Sequence, residues 1–507
     1  MDPRLARRAA AAAFTAGLAA DVLFDRVGLG INVPIATVAI LALVIWLAPN
    51  RRPADPLDLW LPVVAVMASL GPALRTDPSV VVLDLGLVGL ATAAWSLAMS
   101  GVPVTRRAAS SVILLGCLAG LVATVALAWL VTRSGADGFF SRGFGQLGRF
   151  AAIARGVLIA VPVVAGFSLL LASADAVFGR AIDEAFRLPI DLGEVVDRGA
   201  FSVLAAGLIA GPLVLAAGGA GLFSWSGLGA GAGTSRAATA EVEPARARRV
   251  GAVETLTVLA AVDLLFGAFA IVQVVYLFGG VDTLGVVGMT YSDYARQGYF
   301  QLVGVVGLAG LLLLGAHEVV GRTRALLVGA LALLGLTSVI LASAALRLAL
   351  YQGAYGWTEL RFFVAASIAW LALCLALAIG LLVADRMRWL PHALAASAVA
   401  VTLAVSVLGP QAFVIRQNLA RVVDPGLVAP GGFAGFDLPY GLTLGEDAVP
   451  DLVAALAVLP PAERAALLRQ LQLRRAELTG DPTTAGPLSW NLSREQARSA
   501  LEALPER

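Results

Sequence analysis

Lysine is absent from this chain of 507 residues, so all 36 basic side chains are arginine. They are nearly balanced by 34 acidic residues, which leaves a formal net charge of only +2. The arginines lie mainly in short loops and form no extended basic patch. Because nucleic-acid binding needs such a patch, the sequence excludes a nucleic-acid partner.

Cysteine and histidine are also scarce, with two of each. Cys117 and Cys374 stand far apart in apolar runs, which provides neither a disulfide framework nor a metal site. His317 opens the string "HEVVG", but a zinc-protease motif needs a second histidine where this chain has Gly321. The sequence therefore predicts no metal, no cofactor and no catalytic residue, and it favours a protein that is not an enzyme.

Charge of either sign is rare, because charged residues make up 14% of the chain where a soluble protein has about a quarter. Hydrophobic residues make up 59%, which indicates an integral membrane protein. Since a membrane-spanning helix needs roughly 20 apolar residues, runs of that length predict an all-α, polytopic transmembrane helical bundle of about 12 spans. The runs are 9–24, 29–48, 58–74, 79–100, 109–132, 151–173, 199–222, 250–278, 299–316, 323–350, 361–384 and 389–409.

The chain divides into a transmembrane helical domain, 1–410, and a polar helical tail, 411–507. Three stretches of the tail have the apolar spacing of amphipathic helices. A Gly- and Ala-rich segment near 223–249 predicts a flexible linker. Residues 9–24 resemble a cleavable signal peptide, but Asp21 leads at once into the next run, which favours a retained helix.

Polar side chains inside the spans suggest a function, because an ionisable group in a bilayer is costly unless paired or hydrated. They are either structural ion pairs that fix helix packing or parts of a proton or ion path. Arg347 is expected to pair with Asp263 or, second, with Glu254. The full set is Asp84, Glu254, Asp263, Gln273 and Arg347.

Two polar loops separated by a pair of spans emerge on one face of the bundle. They are "TYSDYARQGYFQL", which begins at Thr290, and "YQGAYGWTELR", which ends at Arg361. Arginines of the rear half place both loops and the tail outside the cytoplasm, although those of the front half give the opposite orientation. The aromatic side chains either anchor helix ends or line the mouth of a binding site. The candidate binding residues are Tyr291, Tyr294, Arg296, Tyr351, Tyr355 and Arg361.

Several strings are similar to those of a bacterial polytopic membrane family known as domain of unknown function forty-one seventy-three. They are "DVLFDRVGLGIN", "LLLASADAVFG", "FAIVQVVYLFGG", "TYSDYARQGYFQL", "SAALRLALYQGAYGWTELR", "QAFVIRQNLAR" and "LSWNLSREQAR". The chain departs from the family pattern at Trp357, where Leu is expected, and at Gln411, where Asn or Asp is expected. The resemblance implies a multi-pass fold in the bacterial cytoplasmic (inner) membrane and supplies no activity.

The leading functional hypothesis is a permease-like protein that handles a small solute or ion, because acids lie inside the spans and a polar mouth lies on one face. A small solute or an anionic ligand would be its partner, beside the lipid bilayer; a protein partner is unknown. The alternative is a sensory or scaffolding protein that engages an envelope ligand or partner. The least favoured reading is an intramembrane lipid-processing enzyme that uses Asp263 or Asp293.

Substitutions in the first polar loop separate a binding role from an anchoring role. We expect Arg296→Gln to abolish complementation of a deletion strain without lowering the melting temperature, because arginine suits an anionic ligand. Tyr291→Phe keeps the ring at the headgroup level and should change neither property. Full complementation by Arg296→Gln would reduce this loop to an aromatic anchor.

Overall fold

The structure is a computed structural model that describes residues 23–24, 27–47, 52–53, 55–99, 105, 252–278, 299–321, 323–484 and 486–505, with isolated positions between 157 and 171. Within these residues the secondary structure is helical and no strand occurs. The chain divides into two compact units, one made of residues 1–111 and 345–507 and the other of residues 112–344. The all-α prediction is therefore confirmed for the described part of the chain.

The described residues at the start of the first unit form the helices α1 (Asn32–Leu47), α2 (Trp60–Ser69), α3 (Gly71–Leu74) and α4 (Pro78–Met99). A 3₁₀ turn, Pro56–Leu59, runs directly into α2. Apolar side chains of α1, α2 and α4 form a small core that includes Leu41, Leu61 and Trp95. Pro78 stands at the first position of α4, where the missing N–H costs no helical hydrogen bond.

The second unit contains α5 (Ala252–Phe278), α6 (Tyr299–Val320) and the larger part of α7 (Arg324–Tyr355). Gly329 lies in close contact with α5, because a Cβ atom there would stand 2.8 Å from Leu259 Cδ2. The small residue therefore lets α7 approach α5 closely, as in many membrane helix pairs.

The last turns of α7 belong to the first unit, which continues with α8 (Glu359–Val383), α9 (Leu390–Leu408) and α10 (Pro410–Val423). The tail adds α11 (Leu438–Thr443), α12 (Val449–Ala455), α13 (Pro461–Gly480) and α14 (Leu492–Glu502). A core of this unit lies where the tail meets the membrane helices. It joins Val80, Phe362 and Val405 of the spans to Leu452 and Leu467 of the tail.

Among the described residues, five helical segments are long and apolar enough to cross a membrane, or six if a bent pair counts as one span. The segments are Pro56–Leu74, Pro78–Ser96, Ala252–Val272, Arg324–Tyr355 and Glu359–Val383, and the bent pair is His392–Leu408 with Pro410–Val423. Each predicted run that falls within the described residues is helical. The total of about 12 spans is not confirmed, because the other runs and the linker near 223–249 lie outside those residues.

The bent pair turns by 59° at Gly409, which has φ = +66° and ψ = 88°. Pro410 follows and begins α10, where proline at the first position is favourable. The positive φ requires glycine, because any side chain there is strained. The predicted boundary at residue 410 therefore falls on this bend, inside the first unit.

Gly409→Ala tests this requirement. The substitution should lower the free energy of unfolding by about 2–4 kcal/mol, because it adds left-handed strain and its Cβ would stand 2.7 Å from Arg75 Nη1. The control is Gly380→Ala in α8, whose Cβ would meet nothing within 4 Å and should stabilise the helix slightly. Thermal unfolding in detergent measures both, and equal melting temperatures would refute the requirement for glycine.

Candidate functional site

The bend between α9 and α10 leaves carbonyl groups at the end of α9 without the helical partners they would have in a straight span. Arg75, which follows α3, supplies the donors. Its Nε donates to the carbonyl oxygen of Ser406 at 2.7 Å, and its Nη2 donates to that of Val407. Because an unbonded carbonyl in a bilayer costs several kcal/mol, this arginine stabilises the break.

Asp84 of α4 lies beside the same break and is fully buried. The hydroxyl of Ser406 donates to its two carboxylate oxygens at 2.9 and 2.8 Å. Gly71 leaves the necessary space, since a Cβ there would stand 1.8 Å from Asp84 Oδ2. Within the described ranges no arginine or histidine forms an ion pair with Asp84. Asp84, Ser406, Arg75 and Gly409 together are called the break site.

A second interruption separates α7 from α8 at Gly356, whose φ is +77°. Arg421 of α10 closes it and is 7% exposed. Its guanidinium donates to the carbonyl oxygens of Gln352, Gly353 and Ala354 in the last turn of α7 and to that of Phe433 in the following loop. A cation at a helix C-terminus also interacts favourably with the helix dipole.

Side-chain amides hold α10 against the loop between α7 and α8. The Asn418 amide accepts from Trp357 N at 2.7 Å and donates to Trp357 O at 2.9 Å. Gln411 Nε2 donates to Glu359 Oε1 at 2.9 Å, while its oxygen accepts from Gly445 N at 2.9 Å. The two departures from the family pattern, Trp357 and Gln411, thus lie at the same junction.

The structure brings together the three described residues of the predicted mouth. The Arg361 guanidinium carbon lies 4.0 Å from the centre of the Tyr351 ring, and the Tyr351 and Tyr355 ring centroids are 5.2 Å apart. Arg361 also donates to the carbonyl oxygens of Tyr355 and Gly356. These contacts cap α7, and whether the group also binds a ligand stays a prediction. Tyr291, Tyr294 and Arg296 lie outside the described residues.

The remaining intramembrane polar residues lie on α5 and α7. Glu254, Asp263 and Gln273 lie on α5 in the second unit, and Asp263 Oδ2 would be 3.5 Å from a Cβ at Gly329. Arg347 is buried in the part of α7 that belongs to the first unit. The predicted pairing of Arg347 with an acid of α5 therefore stays a prediction.

The start of α14 closes the end of α3. Asn491 caps α14 by accepting from Arg494 N at 3.1 Å, and its amide donates to the carbonyl oxygens of Pro72 and Arg75 at 2.8 and 3.0 Å. The Ser493 hydroxyl donates to Leu74 O at 2.9 Å. Three carbonyl groups around the end of α3 are therefore bonded by the tail.

A surface cavity of about 360 Å³ lies beside the start of α14. Arg494 and Arg498 line it, but Arg494 Nε is 3.2 Å from Glu446 Oε2, and Arg498 Nη1 is 3.9 Å from Glu495 Oε2. Because each arginine lies beside an acid, the cavity offers little net charge to an anionic ligand.

Sequence patterns missed most of the residues that form these junctions. Arg75, Asn418 and Arg421 lie in ordinary helical or loop contexts, and their acceptors are backbone carbonyls distant in sequence. The string "QAFVIRQNLAR" contains Asn418 and Arg421. It indicated a family resemblance but not the hydrogen bonds that these residues form.

Several apolar helices, one of them bent around buried polar groups, define the chain as a helical integral membrane protein of unknown activity. The family model "Domain of unknown function (DUF4153)" matches residues 63–455, and the chain belongs to this family. The match confirms the resemblance to an uncharacterised family, with the number 4153 in place of forty-one seventy-three. The matched range runs from α2 across the bend to the end of α12. No curated protein and no solved structure matches the chain.

Arg421→Lys tests whether the hydrogen bonds of the Arg421 guanidinium stabilise the end of α7. A lysine keeps the charge, but one ammonium group cannot reach the four carbonyl oxygens that the guanidinium binds. We expect the free energy of unfolding to fall by about 2–4 kcal/mol, since buried carbonyls lose their donors. Arg416→Lys, at an exposed position of the same helix, should change it by less than about 0.5 kcal/mol. Equal effects in detergent melting experiments would contradict the assignment.

Proposed function

We propose that this protein is a permease-like membrane protein that handles a small solute or ion at the break site. The observation that carries the proposal is the bend at Gly409, which places a buried carboxyl group, Asp84, beside the interrupted end of α9. Many secondary transporters build substrate and ion sites from interrupted membrane helices, because the interruption supplies backbone polar groups within the bilayer.

Asp84 supplies the chemistry of the proposed site. A carboxyl group held in a membrane span by a hydroxyl donor can carry a proton or a cation, and intramembrane acids commonly mark such paths. Arg75 holds the backbone of α9 in place, and Ser406 fixes the orientation of the carboxyl group. A bacterial cytoplasmic membrane location, with several passes, accompanies this proposal and follows from the family resemblance.

Asp84→Asn separates the proposed function from a structural role. The asparagine oxygen can still accept from Ser406 Oγ, so the variant should fold, but it cannot exchange a proton. Vesicles carrying the purified protein are adsorbed on a sensor and exposed to concentration jumps of amino acids, carboxylic acids and inorganic ions. We expect a transient current with at least one solute class for the parent and at least a tenfold smaller current for Asp84→Asn.

The matched control is Asp424→Asn, an exposed acid that caps a short turn through Gly426 N and should give the parental current. Identical currents for Asp84→Asn and the parent would contradict the role of the break site. If neither the parent nor the variant responds to any solute, although equal amounts of both are purified, the result would favour the sensory or scaffolding alternative.

A further inference from the structure

Two buried carboxyl groups meet where the tail touches the turn before α4. Asp447 lies on the 3₁₀ turn Glu446–Ala448, and its Oδ2 accepts from Thr76 N at 3.0 Å and Asp77 N at 2.7 Å. Asp77 caps α4, since its Oδ1 accepts from Ser79 N at 2.9 Å and Val80 N at 3.5 Å. Asp77 is 0% exposed and Asp447 is 5% exposed.

Each carboxyl group has one oxygen atom that remains unbonded. Among the residues the structure describes, Asp77 Oδ2, Asp447 Oδ1 and the hydroxyl of Thr76 have no hydrogen-bond partner. A buried carboxylate oxygen without a donor is costly, and two adjacent carboxylates also repel each other. Both costs fall if one proton binds to the pair, because it neutralises one charge and supplies the missing donor.

The surrounding charges do not neutralise the pair. Glu359 adds a third acid and is bound by Gln411. The neighbouring Glu446 is ion-paired with Arg494, and the Arg75 guanidinium binds the carbonyl groups of α9. Over the described ranges neither Asp77 nor Asp447 forms an ion pair.

We propose that the junction of Asp77 with Asp447 is a buried proton-binding site, in which one proton from solvent binds Asp77 Oδ2 beside the Asp447 carboxylate. A proton needs only one unbonded oxygen atom. A metal ion would need more ligands, and the described residues contain no group of three or more His, Cys, Asp or Glu side chains that could hold one. The site is separate from the proposed transport function and does not depend on it.

Proton binding should stabilise the contact between the tail and the membrane helices. Burial, followed by the charge of Glu359, raises the pKa of Asp77 to about 6 from 3.8, with Asp447 adding to the rise and the N–H groups of Ser79 and Val80 opposing it. The folded protein therefore binds this proton more tightly than the unfolded chain. The resulting stability is complete below the unfolded pKa of 3.8 and is lost as the pH rises through about 6.

Thermal unfolding of the full-length protein in detergent between about pH 4.5 and 7.5 tests the proposal, since this range contains the folded pKa of Asp77. Asparagine is as good a helix cap as aspartate, so Asp77→Asn should fold. Asp447→Asn can still accept from both backbone N–H groups, and it removes a negative charge that acts on Asp77. We expect Asp447→Asn to raise the melting temperature at pH 7.5, and both variants to flatten the pH dependence relative to the parent.

Asp424→Asn, which changes an exposed acid, should retain the parental pH profile. Infrared spectroscopy adds a direct readout, in which the protonated carboxyl band of the parent should lose one component with a midpoint near pH 6 in Asp77→Asn. Parental pH profiles and infrared bands in both Asn variants would overturn the proposal. Stabilisation of the parent by sodium chloride, but not by a bulky organic chloride, would show instead that a metal ion occupies the site.

Discussion

The structure depends on hydrogen bonds to the backbone carbonyl groups that lose their helical partners where a helix is interrupted. A bilayer offers no water to bond them, so each interruption near a membrane needs a donor from elsewhere in the chain. Arg75 bonds the end of α9, Arg421 bonds the end of α7, and Asn491 with Ser493 bonds the end of α3. Each donor comes from a segment distant in sequence, so the closures also hold the tail and the membrane helices in one unit.

Arginine suits this task better than lysine does. Its planar guanidinium presents five N–H donors in a fixed arrangement, so one side chain can bond several carbonyl groups at once. Arg421 binds four carbonyl oxygens, whereas a lysine ammonium has three donors at a single point. Because every long basic side chain in this protein is arginine, a few side chains are enough to bond the carbonyl groups at the interruptions.

The helices could be predicted from the sequence, because long apolar runs leave few other structures possible in a membrane. The junctions could not, since they depend on backbone atoms brought together by the fold. Gly30 shows this well, because a Cβ there would stand 2.3 Å from Trp490 O, a contact between the two ends of the chain. Asn418 lies within the range that the family model matches, 63–455, whereas Gly30 and Trp490 lie outside it. Asp84 was found from hydropathy alone, because an acid in an apolar run is conspicuous, but its partner Ser406 was not.

The two carboxyl sites of the first unit lie on one helix. Asp77 caps α4 and Asp84 follows seven residues later, which is about two helical turns, so the two residues point to a similar side of α4. Asp77 contacts the tail through Asp447, and Asp84 contacts α9 through Ser406. Because both residues lie on α4, the position of this one helix depends on the tail at its first residue and on α9 two turns later.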